Sequence, residues 1–221
     1  MEDNVLQTHT PDIILKNGTR ILMPSEYEKL RAAMIRPEVQ PVLNAALESG
    51  DLIHANKIRR YQIICDALML TGMRYVEFAD MDRSWYSGPR RVIQIPKSKT
   101  RGKKKCLYTE RTVMLSLPGC DAVERYLYSG LKMPHRVSMY EALKNYARWA
   151  GISETGITPK MFRKSFVSGL MACFPEQAEY IAVTMGHTAE VMRRNYLVVG
   201  FPADELRKWR DVYLVEWGKR L

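Results

Sequence analysis

Disulfides, zinc knuckles and membrane spans are all poorly supplied by this sequence. Its 221 residues include four cysteines. These are Cys65, Cys106, Cys120 and Cys173, with no CxxC pair and no zinc-ligand spacing, so they read as reduced thiols of a cytosolic protein. Long apolar runs are missing too. The greasiest stretch, Ile63 to Met73, is interrupted by Asp66 and is too short for a bilayer. Residues 1–12 carry acids and no apolar h-region, so no secretory leader is expected. There is no internal repeat and no low-complexity tract. The composition is 46% apolar and 26% charged, which excludes disorder or collagen-like order as global descriptions. The length predicts one domain, or one domain with a small appendage.

Charge is the strongest bias. Lysine and arginine number 34 against 24 acids, a formal net charge of +10. A surplus of this size points to a polyanion, most often nucleic acid, although a ribosome-bound or merely basic protein would show it as well.

The pattern along the chain is mostly helical. Ser25 with Glu28 forms the signature of a capping box, predicting a helix through Tyr27, Leu30 and Met34. Ile58, Tyr61, Ile64, Cys65, Leu68 and Met69 recur at helical spacing and predict an amphipathic helix broken at Thr71 and Gly72. The period then changes. Residues 91–96 and 111–116 are rich in β-branched side chains and read as strands. A basic turn with Lys97, Lys99, Arg101, Lys103, Lys104 and Lys105 lies between them. Helices return with Asp121 as a cap for residues 122–128. Ser138 with Glu141 forms a second box, ahead of a helix stopped by Gly151. Thr158 and Pro159 open a helix over 160–172, and a further helix ends at Gly186. A last helix carries an apolar stripe of Leu206, Trp209, Val212, Tyr213 and Trp217. The fold class is therefore α+β, mainly α-helical, with one small antiparallel sheet.

Three separated segments concentrate the polar chemistry. Residues 70–77 read LTGMRYVE, with Arg74 and Glu77. Residues 158–166 read TPKMFRKSF, with Lys160, Arg163 and Lys164. Residues 185–187 read MGH, and Tyr196 follows His187 by nine positions. In order and spacing these resemble the tyrosine recombinases, the phage-type integrase family, whose motifs run TGxRxxE, HxxRHxF and LGHxxxxxTxxxY. The basic turn resembles the lysine-bearing β-turn of that family. The resemblance covers roughly residues 20–200. It implies a core-binding domain ahead of a catalytic domain; in this sequence residues 1–20 read as a leader, 21–200 as the catalytic domain and 201–221 as a C-terminal helix that is open to exchange between protomers. About twenty residues upstream are too few for a second core.

The residue types suit the chemistry that the resemblance implies. In-line attack on a phosphodiester builds negative charge on the non-bridging oxygens, and guanidinium groups match that geometry with paired donors. Arg74 and Arg163 are the candidate clamp. A tyrosine phenol has an ordinary pKa near 10 and is a poor nucleophile until the phosphorus is made electron-poor. Tyr196 is the candidate nucleophile. Lys99 is the candidate general acid toward the leaving 5′ oxygen, with Lys97, Lys103, Lys104 and Lys105 competing for the role. His187 and Lys160 are candidate assistants, and Lys164 with the remaining turn residues are candidate DNA contacts. Lys160 and Lys164 stand where the family pattern has histidines. A lysine can still donate to the scissile phosphate, but it is not a neutral base near pH 7 unless its pKa is strongly lowered. Neither metal nor other cofactor is required, since a phosphotyrosyl bond stores the energy of the broken backbone bond. The implied partner is double-stranded DNA, bound in a tetramer of this chain on synapsed sites, with no membrane. A type IB topoisomerase and a non-catalytic DNA-binding protein of the same fold are the alternatives.

Overall fold

The computed structural model describes residues 12–15, 17–96, 110–188, 190–192 and 200–218. The core is built around one helix. Helix α4 (Arg60–Thr71) is preceded by α1 (Pro24–Ala32) and by a helical hairpin, α2 (Gln40–Glu48) and α3 (Leu52–Ile58). Every residue of α4 from Gln62 to Thr71 is buried. The predicted amphipathic helix is thus buried on all sides, enclosed by others. It packs against α6 (Leu117–Tyr128) and α8 (Lys160–Cys173). Asp66 is the one carboxylate on α4. It accepts from the Tyr27 hydroxyl at 2.6 Å and from Arg31 Nε at 2.7 Å, so its buried charge is matched by α1.

Two small antiparallel sheets flank the helices. β1 (Ile13–Ile14) pairs with β2 (Arg20–Ile21). β3 (Tyr86–Ser87), β4 (Val92–Ile95) and β5 (Arg111–Met114) form the second sheet, in that order. β4 and β5 match the two predicted strands, with Ile95 opposite Arg111 and Val92 opposite Met114. The edge strand β3 was not predicted, because two residues carry no readable alternation.

Several caps differ from expectation. α1 opens with the Met23 N–H donating to Glu26 Oε2 at 3.0 Å. The expected Ser25–Glu28 box does not form; Ser25 donates its N–H to Glu205 Oε2 at 3.0 Å, and its hydroxyl to the other oxygen of that carboxylate. α6 starts earlier than predicted, at Ser116, whose hydroxyl accepts from the Gly119 N–H at 3.1 Å, so Asp121 lies inside the helix. α7 (Arg136–Trp149) is capped by His135 rather than by Ser138. Thr158 offers no side-chain cap to α8; its backbone carbonyl accepts from Met161 at 2.9 Å. α9 (Ala178–Met185) ends at Gly186, in the left-handed conformation with φ +62°.

The C-terminal segment departs most from its prediction. A helix over Ala203–Lys208 gives way to a π-helical turn over Trp209–Tyr213, not one continuous helix. The wider turn inserts a residue and shifts the phase of the stripe. Trp209, Tyr213 and Trp217 are buried, whereas Val212 is half exposed. All this burial is within the chain's own core. Ser116 Oγ donates to the Tyr213 carbonyl at 2.7 Å, and the Leu117 N–H donates to the Val215 carbonyl at 3.0 Å. No helix among the described residues is long and apolar enough to cross a membrane.

Candidate active site

The site begins where α4 stops. Gly72 takes φ +60° and turns the chain out of the helix. A Cβ there would sit 2.5 Å from Phe166 Cδ1 of α8, so only glycine allows this approach. The Gly72 carbonyl then accepts from Arg163 Nη1 at 2.8 Å. Two residues on, Arg74 caps the short helix α5 (Tyr75–Ala79). Its backbone N–H donates to Glu77 Oε2 at 2.9 Å and its Nη1 to Glu77 Oε1 at 2.6 Å. Arg74 remains 39% exposed while Glu77 is 2% exposed. The carboxylate is therefore an internal anchor, and the guanidinium is offered at the surface.

Lys160 and Arg163 stand three residues apart on α8, and the structure separates the two. Arg163 is buried, whereas Lys160 is exposed at the first turn of α8. Arg163 Nη2 donates to the Met185 carbonyl and lies 3.0 Å from His187 Nε2. Arginine is a donor only, so His187 Nε2 accepts and the ring proton belongs on Nδ1. Electrostatics agree. Burial, then the positive fields of Arg163, Arg74, Lys164 and Arg111, lower the His187 pKa from its ordinary 6.5 to about 3. The imidazole is neutral at any physiological pH.

Arg111 is the residue that sequence reasoning missed. Its sequence neighbours place it in a strand and mark no role for it. In the structure its Nη1 donates to the Thr184 carbonyl at 2.9 Å, and its Nη2 pairs with Glu77. Both partners of that ion pair are 2% exposed. Burial pushes the Glu77 pKa up, but Arg111, Arg74 and Arg163 outweigh it and hold the carboxyl below its ordinary value. An arginine standing at an inward strand position beside valine and methionine was the available signal, because a buried cation needs a counter-charge.

The structure thus brings Arg74, Arg163 and His187 together, and adds Glu77 and Arg111 beneath them. Lys164 lies close enough to act on the His187 charge. Among the described residues, Lys160 makes no hydrogen bond or ion pair with this cluster. Lys97, Lys99, Arg101, Lys103, Lys104, Lys105 and Tyr196 lie outside the described residues. Three arginines against one carboxylate leave a net positive centre beside a neutral imidazole. Such a centre attracts anions, and guanidinium groups suit those with several oxygens.

No family model and no curated protein matches the sequence. Solved structures do. The chain is similar to the XerA recombinase, with a TM-score of 0.52, 16% identity, and coverage of 85% of this chain and 62% of that one. It is similar to the Tn1549 transposon integrase in complex with a circular intermediate DNA, with a TM-score of 0.58, 15% identity, and coverage of 90% and 65%. It is also similar to the XerH site-specific recombinase bound to its palindromic difH substrate, with a TM-score of 0.53, 15% identity, and coverage of 87% and 52%. The chain therefore spans between 52% and 65% of the length of these solved chains. At this identity the likeness shows the fold, which is that of the tyrosine recombinase catalytic domain.

Proposed function

We propose that this chain cleaves and rejoins duplex DNA through a 3′-phosphotyrosyl intermediate, as the catalytic domain of a site-specific recombinase. The observation that carries the reading is the convergence of Arg74, Arg163 and His187 from three separated segments onto one positive centre. Nothing in their sequence separation requires that meeting.

In this reading Arg74 and Arg163 hold the non-bridging oxygens of the scissile phosphate and stabilise the charge that grows there. Tyr196 Oη attacks phosphorus as its proton passes to the neutral His187 ring, forming the tyrosyl–phosphorus bond as the bond from phosphorus to the 5′ oxygen breaks. Lys99 delivers a proton to that oxygen. The reverse step, attack by a 5′ hydroxyl, releases Tyr196 and restores the backbone, so no external energy source enters. His187 is neutral and can accept a hydrogen bond or a proton. A phosphate anion seated among the arginines opposes the field that depresses its pKa. Lys160, exposed at the start of α8, is available to a DNA oxygen, and Lys164 and the basic turn supply further backbone contacts. Exchange between two duplexes cuts four strands, each needing one nucleophile, which implies four copies of the chain on synapsed DNA.

The test is incubation with a nicked suicide duplex carrying the cognate site, followed by a denaturing gel. Wild type should form a covalent adduct. Tyr196→Phe should bind the same duplex and form none, because only the attacking oxygen is removed. An adduct with the Phe variant would assign the nucleophile to another tyrosine. Binding without any wild-type adduct would indicate a non-catalytic DNA-binding protein. Relaxation of supercoils without strand exchange would indicate topoisomerase activity.

A further inference from the structure

We infer that Arg111 is a positioning residue for the phosphate clamp, acting on Arg74 through the carboxylate of Glu77. The inference rests on the reading of Arg74 as a phosphate ligand.

Glu77 is fully engaged. Arg74 Nη1 reaches one of its oxygens, and the Arg74 backbone N–H and Arg111 Nη2 reach the other. If Arg74 were its sole cationic partner, any movement of Arg74 toward a phosphate would leave an unpaired charge in a site 2% exposed. Such a carboxylate would either retain Arg74 or take up a proton and lose it. Arg111 removes that conflict. It is as deeply buried as Glu77 and never needs to leave. With Arg111 in place, Glu77 stays ionised and Arg74 can be shared between the carboxylate and an incoming anion.

Arg111 also ties the carriers of the clamp to each other. Its Nη1 grips the Thr184 carbonyl at the end of α9. The next carbonyl, that of Met185, takes Arg163, and His187 follows two residues later. Gly186 makes room for this passage: a Cβ there would lie 3.1 Å from Arg111 Cδ. One buried side chain therefore joins the α5 segment bearing Arg74 to the α9 terminus that seats Arg163 and His187. It projects from the first residue of β5, the strand that follows the lysine-bearing segment.

The experiment compares Arg111→Gln, Arg111→Lys and Arg74→Ala, and the double variant Arg111→Gln with Arg74→Ala, all in the full chain. Covalent trapping and thermal melting are measured for each. Misplacing a catalytic group by about 1 Å costs on the order of 100-fold, and Arg111→Gln should slow trapping by about that factor. Arg111→Lys keeps the charge and should lose less. In the Arg74→Ala background, Arg111→Gln should cost much less than it does alone, because its route through Glu77 to Arg74 is gone and only its hold on the Thr184 carbonyl remains. An equal loss in both backgrounds would show that Arg111 serves the fold alone and would overturn the inference, as would a wild-type rate in Arg111→Gln. If Arg111→Gln does not fold, Arg111→Lys carries the comparison. A second readout does not depend on catalysis: carboxyl NMR of Glu77 and guanidinium NMR of Arg74 in the free protein. Either Arg111 substitution should raise the Glu77 titration midpoint and loosen the Arg74 guanidinium, and no change in either would also overturn the inference. Absence of an adduct in wild type, with these NMR effects present, would refute the catalytic reading and leave the linkage from Arg111 to Arg74 standing.

Discussion

Single residues decide whether the positive centre exists. Arg163 is buried with its guanidinium bound to two main-chain carbonyls, of Gly72 and Met185. Those carbonyls are presented by two left-handed glycines, Gly72 itself and Gly186 after Met185. Gly72→Ala should therefore do two things at once. Its Cβ would collide with the Phe166 ring and come within 3.3 Å of Met185 Sδ. Overpacking of this kind costs about 1–3 kcal/mol, and the left-handed backbone adds roughly 1–2 kcal/mol more. The melting temperature should drop. DNA cleavage should fall further than the stability loss accounts for, because the acceptor of Arg163 moves. A variant that melts like wild type would mean that the Phe166 contact yields freely.

At the scale of elements, the C-terminal segment is the informative case. Glu205 caps α1 through Ser25, Lys208 pairs with Glu28 at 2.7 Å, and Trp209 lies against Gly169 of α8. An alanine Cβ at position 169 would sit 2.6 Å from the Trp209 ring. In a helix, alanine is ordinarily better than glycine by about 1 kcal/mol. Gly169→Ala thus separates two arrangements by sign. If Trp209 docks on its own domain, the substitution lowers the melting temperature. If the segment leaves to dock on a neighbouring protomer, the substitution raises it. The structure calls for the first result, measured by thermal melting in dilute protein without DNA.

For the whole molecule, charge sets two expectations. The first is stability against pH. Unfolded histidine binds a proton below pH 6.5, whereas His187 in the folded chain stays neutral down to about 3. Between those values the unfolded state holds more protons, so stability is complete above about pH 6.5 and declines as the pH falls. Glu77 acts in the same direction at lower pH, since its folded carboxyl titrates below its ordinary 4.5. The melting temperature should fall on acidification from neutrality, and NMR should show no His187 ring midpoint between about pH 5 and 8. A midpoint near 6.5 would contradict the burial of the ring among cations. The second expectation is salt dependence. With a net charge of +10, affinity for duplex DNA should fall steeply with salt, with a slope of about −0.9 in log K against log salt for each phosphate contacted. A flat response in a titration series would assign the charge to another partner.

The sequence by itself determined the class of the fold, mostly helix with two main strands, and the order of the three polar segments. Those features are written in hydrophobic period, β-branched runs and glycine stops, all local properties of the chain. It also marked Arg74, Arg163 and His187 as belonging together, through the resemblance of their three segments to the tyrosine recombinase motifs. Tertiary structure decided which polar groups face which. Ser25 looks like a partner for Glu28 until Glu205 arrives from 180 residues away. Lys160 and Arg163 look equivalent on a helix wheel, yet packing against Gly72 and Met185 buries one and leaves the other exposed. Arg111 reads as an ordinary strand residue because its counter-charge, Glu77, lies 34 positions earlier. The C-terminal stripe fits two destinations by pattern, and in the single chain Trp209 lies beside Gly169 in its own core. A buried charge is stable only with its partner in place, and that partner comes from wherever the fold brings it, which no local pattern records.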